Sequence, residues 1–187
     1  MIAAPTAAAT GIRAARGWVA ACLLLATGAV PAGERVPSLP ATTLAGEPFR
    51  VPADLTSSHA LLVVGFSKAS RRQTSAWIQC VAGDAQLSRQ LDVYQVVALE
   101  SVPSMFRGTV VASIRRSVPQ AQHGRFLVLT RDESAWKALA RHRNADDAYA
   151  LLLQDGALTW RASGACSAGR VAELKAATSR VARQAVP

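Results

Sequence analysis

Cysteine is scarce in this chain: Cys22, Cys80 and Cys166 are the only three among 187 residues. No two of them form a Cys-x-x-Cys pair. With only three histidines beside them, they make no zinc pattern of familiar spacing, so neither a metal nor a cofactor is expected. No glycine-rich loop of the phosphate-cradling kind is present. Ser67 has no G-x-S-x-G context and no identifiable base, which removes it as a nucleophile. The arginines are scattered, no basic stripe is interleaved with aromatics, and no DNA-binding helix or finger spacing occurs; nucleic acid is therefore excluded as a partner. Aromatics make up only 5% of a chain that is 50% hydrophobic, so its core must be built mainly from Ala, Val and Leu.

What is present begins with an export signal. Arg13 and Arg16 form a basic start, and Trp18 to Val30 is an apolar stretch short for a bilayer span. Val30-Pro31-Ala32 then offers small residues for cleavage before Gly33. Residues 1–32 are read as a signal peptide, the alternative being an uncleaved membrane anchor. Val19-Ala20-Ala21-Cys22 looks superficially like a lipoprotein cleavage box, but Leu23-Leu24-Leu25 follows the cysteine, which argues against lipidation. The expected location is exported: periplasmic or inner-membrane-associated, where Cys80 and Cys166 can be oxidised. The formal charge is +9, and loss of Arg13 and Arg16 leaves the chain basic. Such a balance favours an anionic membrane surface or an acidic protein face as partner.

Residues 33–59 read as an extended N-terminal hairpin and connector, with Ala45-Gly46-Glu47 as the turn between Leu44 and Phe49. Residues 60–187 form the main domain. It opens on Leu61-Leu62-Val63-Val64, an apolar run expected for a strand buried on both faces. A polar loop follows, then a helix over 74–91 weakened at Gly83, with Ser70 or Thr74 as its cap. Trp77, Cys80 and Val81 share its apolar face, where a cysteine is ordinarily a small buried hydrophobe. Val93 to Leu99 is a strand. Ser104 caps a helix that turns Phe106, Val110 and Ile114 inward and closes at Pro119. Phe126 to Leu129 is a strand or an extended connector, and Asp132 or Thr130 caps a helix carrying Trp136, Leu139 and Ala140. Ala148 to Leu153, the Asp155-Gly156 turn and Ala157 to Arg161 make a hairpin. Ser167 caps a last helix with Val171, Leu174, Thr178 and Val181 on one stripe.

That order predicts an α/β, thioredoxin-like fold: a central mixed sheet, helices on both faces and a C-terminal β-hairpin plus helix. In that fold the reactive cysteine sits where the first buried strand runs into a helix N-terminus. Here that loop reads Ser67-Lys68-Ala69-Ser70-Arg71-Arg72-Gln73, without cysteine. The stretch before the hairpin, Asn144 to Ala148, lacks the proline usual opposite it. Both absences point to a protein without redox chemistry at that site. In its place, Ser67, Lys68, Ser70, Arg71, Arg72 and Gln73 form a candidate binding loop whose cations face an anion. The remaining redox or disulfide candidates are Cys80 and Cys166. Helix spacing sets them on the order of 10 Å apart along the axis, so a bridge, which needs Cα atoms within about 7 Å, requires the two helices to be offset.

Three stretches, LLVVGFSKASRRQTSAW, MFRGTVVASIRRSVPQAQHGRF and AYALLLQDGALTWRASG, resemble the mitochondrial ATP synthase assembly factors called ATPase complex subunit ten and their bacterial relatives. The marks are Tyr149 in the first hairpin strand, the Asp-Gly turn, Trp160 on the returning strand and Gly164 after it. The resemblance implies a thioredoxin-like domain without catalytic residues, working near the inner membrane. Its partner would be a subunit of a membrane complex. The expectation is thus a non-catalytic binding or assembly module rather than an enzyme. The alternative is a periplasmic thiol oxidoreductase using Cys80 or Cys166.

Overall fold

Leu61, Leu62, Val63 and Val64 are fully buried, and everything else is laid around them. The computed structural model describes residues 33–182, with side chains through 179; the signal-peptide reading of 1–32 and the place of Val181 on the last stripe lie outside what is described. The described residues open with strands β1 (Glu34–Arg35), β2 (Leu39–Thr43), β3 (Pro48–Val51) and β4 (His59–Gly65). Helices α1 (Arg71–Ala82) and α2 (Leu87–Gln90) lead to β5 (Asp92–Ala98) and α3 (Ser104–Ser117). A 3-10 turn (Gln120–Arg125), β6 (Phe126–Leu129) and α4 (Glu133–Ala140) follow. The hairpin β7 (Ala148–Gln154) and β8 (Ala157–Ser163) leads into α5 (Ala168–Ala182).

One eight-stranded sheet results, in the order β1-β8-β7-β4-β5-β6-β2-β3. Strand β4 runs parallel to β5, with Leu62 beside Tyr94, and antiparallel to β7, with Leu62 beside Leu151. Being flanked on both sides, it needs an apolar residue at every position, and its two-residue period divides them between two cores. Ala60, Leu62 and Val64 join Trp136, Leu139 and Ala140 of α4. Leu61 and Val63 point the other way, into a core with Trp77 and Val81 of α1 and Leu174 and Ala177 of α5. Helices α1 and α5 therefore share one face. The β7–β8 turn has positive φ at both Asp155 and Gly156, 48° and 78°, the conformation that suits a two-residue hairpin.

Three expectations change in detail. The helix expected over 74–91 starts at Arg71, and Ser70 rather than Thr74 is its N-cap residue. It also ends at Gly83, because the Asp84 carboxylate accepts the Gln86 and Leu87 N–H groups, each at 3.1 Å, and so opens a separate helix. Phe106 does not turn inward; it is 56% exposed and Met105 79%. The Arg107 guanidinium donates to the carbonyls of Val102, Glu100 and Thr130. This fixes the first turn of α3 so that Val110, Val111 and Ile114 face the sheet instead, packing over Leu44, Leu99, Phe126 and Val128.

Candidate functional site: the β4–α1 loop and the α1–α5 cystine

The β4–α1 loop is tightly self-bonded. Ser67 Oγ accepts from the N–H groups of Ala69 and Ser70 at 3.1 and 3.2 Å, and Ser70 Oγ donates to Ser67 O at 2.8 Å. Ser70 is buried beneath Gly65, where a Cβ would stand 2.6 Å from its Oγ. Close approach of strand to helix therefore requires glycine there. Gln73 Oε1 accepts the N–H of Ala148 at 3.1 Å, and Ser67 Oγ lies 3.4 Å from Asp146 Oδ1. These bonds join the loop to the segment preceding β7. The hydroxyls of Ser67 and Ser70 and the Gln73 Oε1 are thus committed within the chain. Lys68, Arg71 and Arg72 are exposed, with no acceptor among the described residues. Behind the loop, Phe66 meets His142 and Tyr149 edge-on, with centroids 5.0 and 5.6 Å away. Among the described residues the cis peptide is Val51–Pro52, at the end of β3 and not before β7.

Sulfur lies elsewhere on the molecule. Cys80, in the last turn of α1, is disulfide-bonded to Cys166, just ahead of α5, with Cα atoms 6.8 Å apart. The axial separation expected between them does not arise, because the two helices are offset. Trp77 Nε1 donates to Gly164 O at 2.8 Å, which pins the β8–α5 connection against the middle of α1. Further on, Lys175 of α5 pairs with Asp84, just past the end of α1. Helix α5 therefore starts alongside the second half of α1, and Cys166 comes level with Cys80. The tryptophan was legible in the sequence as a core residue. Its indole N–H, which needs a partner when buried, was the overlooked signal.

Both cysteines are half-buried, and they line an open cleft of about 390 Å³ together with Ser167, Ala168, Val171, Ala172 and Lys175. The Lys175 ammonium, hydrogen-bonded to Asp84 and assisted by the Leu87 N–H, holds the Asp84 carboxyl below the usual carboxylate range. No group of three or more metal-ligating side chains occurs among the described residues. No helix among them is long and apolar enough to cross a membrane.

No protein-family model matches the chain, and no curated protein does. Solved structures do. A protein described as a thiol:disulfide interchange protein, DsbE, from Chlorobium tepidum aligns over 80% of this chain and 99% of its own, at 14% identity and a TM-score of 0.53. A thioredoxin from Neisseria meningitidis aligns over 79% of this chain and 91% of its own, at 16% identity and a TM-score of 0.51. The fold is thioredoxin-like. Identities this low speak to architecture alone. The expectation that the protein is not an enzyme and lacks redox chemistry is nevertheless corrected. It rested on an empty β4–α1 loop and a missing proline, whereas the thioredoxin-like scaffold holds a cystine, Cys80–Cys166, at the edge of an open cleft.

Proposed function

We propose that this chain is an exported thioredoxin-like domain that exchanges thiols and disulfides through Cys80 and Cys166, on the α1–α5 face rather than at the β4–α1 loop. The observation that carries this reading is the placement of the cystine. Both of its cysteines line a cleft open to solvent, on a scaffold whose usual reactive loop carries no sulfur. An accessible disulfide can be attacked by an incoming thiolate, whereas one sealed in a core cannot. The signal-like sequence over 1–32 supports export, to a compartment where such a bridge forms. The assembly role implied by the resemblance to ATPase complex subunit ten rests on the quoted sequence stretches.

The test is redox titration of the folded protein in glutathione and dithiol buffers, with alkylation to count thiols, alongside an assay of disulfide reduction in a model protein. The expected result is reversible, complete reduction without denaturant, and turnover above that of the small thiol alone. A bridge that opens only in denaturant, with no turnover, overturns the reading.

A further inference from the structure

The two sulfurs occupy opposite poles of two helices. Cys166 precedes the N-terminus of α5. There Ser167 begins the helix, its Oγ accepting from Arg170 N at 3.4 Å and its carbonyl from Val171 N at 2.9 Å. The N–H groups of Ala168 and Gly169 have no acceptor among the described residues, so the positive pole of a fifteen-residue helix opens beside Cys166. Cys80 lies in the last turn of α1, where the backbone presents carbonyl oxygens and no basic side chain occupies the turn. Beyond it, Asp84 pairs with Lys175, which also lines the cleft. Near Cys166, Arg170 pairs with Glu173, so the pole itself is the uncompensated charge on that side. A thiolate is stabilised at a helix N-terminus and opposed at a C-terminus.

We infer that Cys166 is the attacking cysteine of the reduced protein and Cys80 the resolving one, with a disulfide in an extended, apolar polypeptide segment as substrate; this rests on the exchange activity proposed above. Beyond the two cysteines the cleft is lined by Ser167, Ala168, Val171, Ala172 and Lys175, so three of its five other residues offer apolar contact to such a segment. The Cys166 thiolate attacks one sulfur of the substrate disulfide. A Cys166–substrate bond forms, the substrate S–S bond breaks, and the departing sulfur keeps the electron pair and takes a proton. The Cys80 thiol then gives its proton to water and attacks Cys166 Sγ. The mixed disulfide breaks, the second substrate sulfur leaves as a thiolate that takes up a proton, and the Cys80–Cys166 bond is restored. Two electrons and two protons have passed to the substrate, and an external dithiol reduces the cystine for the next cycle.

Two measurements test the order of attack. In the reduced wild-type protein, mass-resolved alkylation with iodoacetamide across pH is expected to modify Cys166 about tenfold or more faster than Cys80 at neutral pH, with a lower pH midpoint. With oxidised glutathione as the probe, the Cys80→Ser variant is expected to accumulate a stable adduct on Cys166, while Cys166→Ser accumulates none. Equal alkylation rates, faster alkylation of Cys80, or an adduct trapped by Cys166→Ser would overturn the assignment. If the wild-type protein exchanges disulfides yet shows any of these, only the order of attack falls. If it exchanges none, the functional reading falls with it.

Discussion

Helices α1 and α5 both begin where a strand leaves the same end of the sheet, yet their N-termini carry different groups. The start of α1 holds Lys68, Arg71 and Arg72, cations that a helix N-terminus disfavours, over a loop closed on itself by Ser67 and Ser70. The start of α5 has Cys166 immediately before it, a group whose ionised form that same pole favours. The fold supplies two equivalent electrostatic positions, and the side chains decide which can do chemistry. An empty reactive loop in a thioredoxin-like protein is therefore no guide to the other pole. The cystine has to be looked for wherever a strand hands over to a helix on that face.

The contrast can be broken most forcefully at the sulfur end. Replacing both cysteines by serine removes a cross-link spanning 86 residues of sequence. The chain-entropy model predicts a loss of about 4.6 kcal/mol for a loop of that size, readable as a drop in the urea midpoint against the oxidised wild type. The opposite end is tested by Gly65→Ala, whose added Cβ displaces the Ser70 hydroxyl and crowds Thr74. It is expected to cost about 1–3 kcal/mol while thiol–disulfide turnover is retained; loss of turnover in a folded variant would place chemistry back at the β4–α1 loop. The mildest probe is the pair Arg71→Glu, Arg72→Glu. Acidic groups in a first helical turn stabilise by about 0.3–1 kcal/mol each at low salt, so thermal melts should shift slightly upward and exchange rates stay as they were. A marked fall in exchange would show that the cations steer substrate.

Much of the architecture was legible because its signals are local. Leu61 to Val64 announced a strand flanked on both sides, and Asp155-Gly156 announced the hairpin. The spacing of Leu174 and Thr178 announced the inward face of α5. Errors arose where a long-range contact decided the outcome. The outward turn of Phe106 depends on Arg107 reaching the carbonyls of Glu100 and Thr130, which the helical period alone does not reveal. The end of α1 at Gly83 depends on a carboxylate that captures two N–H groups. At the candidate site the same holds more strongly. Cys80 was read on the apolar stripe of α1 as a small buried hydrophobe, whereas it is half-buried and bonded to Cys166, at a distance set by the register between two helices. That register is fixed by the indole of Trp77 meeting Gly164, a contact between residues 87 apart.

The cystine also changes how the polypeptide bears load. With Cys80 tied to Cys166, the chain from α2 through β8 forms a closed covalent ring, while β1 to β4 with most of α1, and α5, lie on the two tails leading from it. Tension applied at the chain ends would pass directly across the sulfur bridge, leaving slack every residue from 81 to 165. The oxidised domain can be peeled at its β2–β3 hairpin and its last helix, but the ring cannot be drawn out into a line until two electrons have arrived.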